Sequence, residues 1–215
     1  IAGVVGLGYV GLPLAVEKAK AGFKTIGFDV QVSKVEKVNN GENYIGDVVD
    51  GELKDLVEKG KLSATTDFSF VKDVDFIAIC VPTPLDKHQA PDISCVKDSA
   101  ANIAKYLRCG TMVVLESTTY PGTTEELIKP ILENGSGLKC GEDFYLGFSP
   151  ERVDPGNLIY KTKNTPKVVG AVGEDAAEVI SAMYRAVLDG DVHTVSSPSI
   201  AEMEKILENT YRNIN

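Results

Sequence analysis

The stretch Gly3-Val-Val-Gly6-Leu-Gly8-Tyr9-Val10-Gly11-Leu-Pro-Leu-Ala15 decides the fold. A short apolar run leads straight into Gly6-x-Gly8-x-x-Gly11, and an alanine-rich helical pattern follows. A second apolar run, Thr25–Phe28, comes next, and Asp29 stands at its end, eighteen positions after Gly11. Strand, glycine turn, helix, second strand and acid in this order form a dinucleotide-binding fingerprint. Gly6 permits the tight turn, Gly8 lets the backbone approach a pyrophosphate, and Gly11 lets helix and strand pack closely. Free amides at the helix start favour the phosphates, helped by the helix dipole. Asp29 accepts hydrogen bonds from a ribose diol and repels a 2′-phosphate, so the expected cofactor is NAD. Tyr9 and Val10, inside the turn, belong to the same expected site, and Lys34 is within reach of the adenosine ribose.

Working outward, apolar runs alternate with amphipathic helical stretches along the whole chain. Strands are expected at Gly3–Val5, Thr25–Phe28, Asp75–Val81, Thr111–Glu116, Phe144–Phe148, Lys167–Gly170 and Asp191–Val195, with a weaker one near Ala64–Thr65. Helices fit Val10–Ala21, Val32–Asn40, Gly51–Lys59, Ile93–Leu107, Thr123–Asn134 and Glu174–Val187. Phe76–Val81 and Met112–Leu115 are apolar on both faces, as in a parallel sheet covered on both sides. The expected fold is therefore a Rossmann-like, doubly wound, mostly parallel α/β sheet with helices on both faces. Its ligand crevice lies at the carboxyl ends of the strands. The loops Pro82–Pro91, Ser117–Thr123 and Ser149–Asn157 follow strands and are expected on that rim. Residues 1–196 make up this domain, and 197–215 begin a connecting helix.

Composition narrows the functional classes. With 215 residues, 43% hydrophobic and 25% charged, the chain has an ordinary globular make-up. A net charge of −9 argues against a nucleic-acid surface. No apolar run approaches the roughly eighteen residues that a membrane span needs. Cys80, Cys95, Cys109 and Cys140 are scattered without metal-ligand spacing, and His88 and His193 stand alone, so no metal is expected. Four unpaired thiols fit a reducing cytoplasm. The charged loop around Asp86, Lys87 and His88 reads as solvated. The chain opens at Ile1 within a strand and closes at Asn215 within a helical pattern, which reads as the amino-terminal part of a longer protein.

Four further segments carry chemistry: Cys80-Val81-Pro82-Thr83-Pro84, Glu116-Ser117-Thr118-Thr-Tyr-Pro-Gly-Thr-Thr124, Phe148-Ser-Pro-Glu151-Arg152-Val-Asp-Pro-Gly-Asn157 and Ala201-Glu-Met-Glu-Lys205-Ile-Leu-Glu-Asn209-Thr-Tyr-Arg212. With the glycine turn they resemble, from end to end and in order, the UDP-glucose/GDP-mannose dehydrogenase family. The Ser-Pro-Glu-Arg-x-Asp-Pro-Gly-Asn form looks most like the branch that oxidises UDP-N-acetylglucosamine. The resemblance implies two successive oxidations of a sugar primary alcohol to a carboxylate with two NAD, through a cysteine thioester. No cysteine here lies in the family's glycine-rich cysteine motif, so the nucleophile is expected beyond Asn215.

By resemblance, Lys205 and Asn209 are catalytic and contact substrate. They are four apart and share a helix face, where an ammonium and an amide can stabilise oxyanions. Glu151 is the candidate base for thioester hydrolysis and a substrate contact. The UDP-glucose branch has a second glutamate four residues on, where this chain has Pro155. Thr118 matches the threonine that orders water and substrate, and both Ser117 and Thr118 fall at the cofactor site. Val81, Pro82 and Thr83 are expected near the nicotinamide-side ribose, and Arg152 near the substrate. The family usually forms homodimers through the helix cut at Asn215, leaving an apolar seam at Ile206, Leu207 and Tyr211. Taken alone, these 215 residues are expected to bind NAD but make no uronate. Two rivals remain: a β-hydroxyacid or 6-phosphogluconate-type dehydrogenase, and a dinucleotide-binding module without turnover.

Overall fold

Strands buried on both faces require helices on both sides, and that is the arrangement found. The computed structural model describes residues 1–85, 87, 91–152 and 161–214. Asp86, His88 and the run Asp154-Pro155-Gly156-Asn157 lie outside the described residues. The strands are β1 (Ala2–Val5), β2 (Thr25–Phe28), β3 (Leu62–Thr65), β4 (Phe76–Ile79), β5 (Met112–Leu115), β6 (Tyr145–Phe148), β7 (Lys167–Ala171) and β8 (Val192–Val195). They form one sheet in the order β3-β2-β1-β4-β5-β6-β7-β8. β1, β2 and β4 are buried at every position, whereas β3 at one edge alternates buried and exposed on its first three residues.

The chain winds outward from β1 in one direction, then returns to the other side of β1 to place β4 there. Between β1 and β4 lies the topological switch point, where a doubly wound sheet opens its crevice. α1 (Gly11–Lys20), α2 (Val32–Asn39), α3 (Asp50–Glu58) and α6 (Glu174–Arg185) pack into one apolar cluster with Val4, Ala78 and Val114. α4 (Ser94–Ala104), α5 (Lys129–Ser136) and the start of α7 (Pro198–Ile214) cover the other face, over Ile77, Ile79 and Leu115.

All neighbouring strands pair parallel except β6 and β7, where Phe148 faces Gly170 and Gly147 faces Ala171 in antiparallel register. This reversal places the amino end of β7 at the carboxyl end of β6. β8 runs parallel to β7, so its carboxyl end leaves from the far side of the sheet. α7 then runs back toward the rim.

One expected helix is modified. Thr123–Asn134 divides into a π-helical turn over Thr123–Ile128 and α5 from Lys129. Pro130, with no amide to donate, interrupts the regular i to i−4 ladder at this junction. A six-residue 3-10 turn at Phe68–Asp73, capped by Asp67 accepting from Ser69 N at 2.8 Å, was not legible from periodicity. No helix among the described residues is long and apolar enough to cross a membrane.

Candidate active site

Gly6 sits at the end of β1 with φ of +90°, a conformation that side chains with a Cβ strongly disfavour. A Cβ on Gly11 would lie 1.8 Å from the Gly6 carbonyl oxygen, so turn and helix start interlock only with glycine at both positions. Gly8 differs: a Cβ there meets no protein atom within 4 Å and projects into open space. That space is a cleft of about 620 Å³ lined by Gly6, Gly8, Tyr9, Val10, Asp29 and Lys34 among others. The glycine turn thus leaves a cradle that a Cβ would fill, and the residues present fit a dinucleotide.

Asp29 is buried at the end of β2 and ties the turn to that strand. Its carboxylate accepts from Leu7 N at 2.9 Å and Gln31 N at 2.9 Å, with the Lys34 ammonium at 3.5 Å. A carboxylate offers about four acceptor sites, so capacity remains for one ligand hydroxyl. Tyr44, from the α2–α3 connection, donates to the Leu7 carbonyl at 2.8 Å and lines the same cleft. Burial first, then the Asp29 charge, pushes the Tyr44 phenol well up, so it stays a donor.

A second cavity of about 260 Å³ adjoins the first, sharing Val10, Cys80, Val81 and Pro82 with it. Its remaining lining is Thr83, Glu116, Ser117, Thr118, Glu151 and Lys205. The Ser117 hydroxyl donates to the Val81 carbonyl at 2.7 Å, and the Thr83 hydroxyl to the Thr118 carbonyl at 2.7 Å. These bonds lace the loops after β4 and β5 together. Lys205 reaches over from α7 and donates to the Glu151 backbone carbonyl. Asn209, one turn further along α7, is half-buried and is not part of that lining. Arg152 is not an open surface side chain: it pairs with Glu208 at 3.2 Å and approaches Glu204 at 3.9 Å, both on α7.

The first 188 residues also match a known family almost throughout: its description is UDP-glucose/GDP-mannose dehydrogenase family, NAD binding domain, and it covers residues 2–188. The chain belongs to this family. It carries the family's NAD-binding domain, in a Rossmann-like, mostly parallel sheet. Among curated relatives, Protein CapL of Staphylococcus aureus is 40% identical over 212 residues, 99% of this chain and 49% of that protein. The UDP-N-acetyl-D-glucosamine 6-dehydrogenase of Pseudomonas aeruginosa is 39% identical over 99% of this chain and 49% of its own length. A solved UDP-D-ManNAc dehydrogenase from Pyrococcus horikoshii superposes with a TM-score of 0.92 at 34% identity, covering 100% of this chain and 51% of that one. The chain spans about half the length of the curated relatives it matches.

Beneath the two cavities lies a buried polar cluster that motif reading did not assemble. Lys167, opening β7, pairs with Glu116 and lies 3.4 Å from Glu151 Oε2. The Tyr184 hydroxyl, from α6, donates to the other Glu116 oxygen. Burial opposes the Lys167 charge, but Glu116 and Glu151 outweigh it and hold the ammonium above its ordinary range. Lys18 of α1 is fully buried, its ammonium 3.9 Å from the centre of the Phe76 ring and without a hydrogen-bond partner among the described residues. Burial pushes it down to about 8, against the pull of Glu116. The signal for Lys18 was its position three and four residues after Ala15 and Leu14, on the apolar stripe of α1.

Glu202 was also missed. Buried on α7, it accepts from Gly122 N at 2.6 Å, Thr124 N at 2.9 Å and the Thr124 hydroxyl at 2.7 Å. It fixes α7 to the loop that presents Thr118. Cys80 lines both cavities, yet burial, and then Glu116, drive its thiol well up, so it stays protonated and a poor nucleophile.

Proposed function

We propose that this chain supplies the NAD site and part of the catalytic site of an enzyme that oxidises the C6 primary alcohol of a UDP-sugar to the uronate, in two steps. The favoured substrate is UDP-N-acetylglucosamine. One observation carries the reading: Thr118, Glu151 and Lys205, drawn from three separate elements, line one small cavity that opens into the dinucleotide cleft. NAD supplies the oxidant in both steps. The remaining chemistry falls to side chains.

Lys205 brings a positive charge to the cavity, and its bond to the Glu151 carbonyl fixes its direction. An ammonium so placed stabilises the alkoxide and the tetrahedral oxyanions of a thioester route. Asn209, a turn beyond on α7, contributes an amide donor once substrate fills the site. The Thr118 hydroxyl, exposed on the rim, positions water and the sugar, because a hydroxyl both donates and accepts. Glu151 takes the proton from the hydrolytic water. Arg152, held by Glu208, is assigned a substrate contact next to Glu151. The nucleophilic cysteine belongs to the part of the protein beyond Asn215, as does the homodimer seam begun by Ile206, Leu207 and Tyr211. A cytoplasmic setting is part of this proposal, in line with the four free cysteines.

The test extends the reading frame past Asn215 and supplies limiting UDP-N-acetylglucosamine with excess NAD. Two NADH per sugar supports both reaction and substrate. Turnover only with UDP-N-acetylmannosamine keeps the reaction and replaces the substrate. One NADH per sugar overturns the four-electron reaction.

A further inference from the structure

We infer that Lys167 and Glu116 form a positioning pair for Glu151, setting both the direction and the charge of the carboxylate assigned above as the hydrolytic base. The inference rests on that assignment. Its basis is a cluster that crosses four elements and ends at the cavity. Lys167 has 4% of its side chain exposed and Glu116 none, so neither ion is held by water. Two carboxylates, the fully buried Glu116 and the partly exposed Glu151 at the cavity wall, converge on one ammonium.

A buried ion pair is poor evidence of stabilisation, since an apolar pair of similar volume often serves as well or better. This pair is assigned a role other than stabilisation. Here the cluster lies directly behind the cavity, because antiparallel β7 delivers its first residue to the end of β6, beside Glu151. Among the described residues, the groups facing the Glu151 carboxylate include Lys167 from β7, Glu116 after β5, the Cys80 thiol after β4 and the Tyr184 phenol from α6. Lys205 of α7 holds its carbonyl, and the Arg152 amide donates to its Oε1 at 2.8 Å. Lys18 acts on Glu116 from α1. Within this set Lys167 is the cation hydrogen-bonded to the Glu151 carboxylate at 3.4 Å. Tyr184 and Lys167 share the oxygens of Glu116 and thereby fix the ammonium.

A base must be ionised to work. An opposite charge within a few ångströms lowers a carboxyl pKa by about 1–3 units. In Lys167→Met, Glu151 and Glu116 face each other without a cation, and the base keeps its proton to higher pH. In the full-length enzyme the acid limb of the kcat profile then moves up by about 1–3 pH units. KM for NAD and for the sugar stays within about threefold, because neither ligand loses a contact. Lys167→Arg returns the limb most of the way. Glu116→Gln combined with Lys167→Met also returns it, since the like charge is gone.

Direct titration of the Glu151 carboxyl carbon gives the second readout. It uses carbon-13-labelled glutamate in the full-length protein, with the signal assigned by Glu151→Gln. If wild type gives two NADH per sugar but Lys167→Met leaves limb and midpoint in place, the positioning role is overturned and the reaction stands. If wild type oxidises no nucleotide sugar, the proposed reaction falls, and the carbon-13 midpoint alone decides the pair. A midpoint that stays put in Lys167→Met, or that moves equally in the double variant, overturns it.

Discussion

Replacing Lys18 by methionine is expected to make the folded protein more stable, and the size of the effect follows from its surroundings. Lys18 is fully buried, and its ammonium has two aromatic faces, Phe76 at 3.9 Å and Tyr184 at 5.1 Å, but no hydrogen-bond acceptor among the described residues. Burial brings it down to about 8 from an ordinary 10.5. The unfolded chain therefore holds this proton more tightly than the folded one. Below about pH 8 both forms are charged and the full cost is present; as pH rises toward 10.5 the unfolded form loses its advantage and stability climbs. A separation of about 2.5 pH units at 1.36 kcal/mol each gives a cost of about 3 kcal/mol at pH 7. The ring contact offsets about 1–2 kcal/mol of it. Methionine, unbranched and one heavy atom shorter than lysine, fills most of the same slot and needs no partner. The expected gain is thus about 1–2 kcal/mol at pH 7, falling below about 1 kcal/mol at pH 10. Urea unfolding at both pH values, with unchanged slope, measures it. A destabilised variant at pH 7, or a difference that does not shrink with pH, would refute the reasoning.

Other residues give equally direct tests. Glu202→Ala strands the amides of Gly122 and Thr124, so about 2–4 kcal/mol is lost locally; hydrogen exchange is expected to quicken first in residues 198–209, and uniform protection there contradicts the anchor role. Gly11→Ala and Gly8→Val separate fold from ligand. Gly11→Ala drives a Cβ into the Gly6 carbonyl and costs about 3 kcal/mol or more, whereas Gly8→Val leaves stability within about 0.5 kcal/mol and weakens NAD at least about tenfold. Thermal melts and NADH fluorescence titration distinguish the two; a Gly8→Val protein with intact NADH affinity defeats the cradle assignment. Cys80→Ala in the full-length enzyme keeps two NADH per sugar, because the protonated, buried thiol plays no covalent part; trapping of substrate on Cys80 in a digest would say otherwise.

Much of the architecture was legible. The eight expected strands and the helices between them appear because alternation and apolar run length report local burial, which the chain encodes residue by residue. Glycine spacing was legible for a steric reason: 1.8 Å between a Gly11 Cβ and the Gly6 oxygen allows no other residue. The glycine turn, Asp29 and the loop segments Val81–Thr83 and Ser117–Thr118 all line the two cavities. The π-helical turn at Thr123–Ile128 escaped, since the pattern on either side of Pro130 reads as one helix. Tyr44 escaped because its bond to Leu7 spans 37 residues.

By itself the sequence determined where strands and helices lie, that the sheet is covered on both faces, and that a dinucleotide turn follows β1. Tertiary structure alone decided how β7 runs. An apolar stretch such as Lys167–Ala171 has the same composition and periodicity whichever way it pairs, because ladder direction is a property of two strands and not of one. Parallel pairing would have carried Lys167 to the far end of β6. The antiparallel pairing sets it beside Glu116 and Glu151, and it sends α7 back across the sheet so that Lys205 and Glu202 reach the rim. Buried charge is tolerated there for the same nonlocal reason: Lys167, Glu116 and Glu202 find partners 16 to 80 residues away, a distance that no local pattern records.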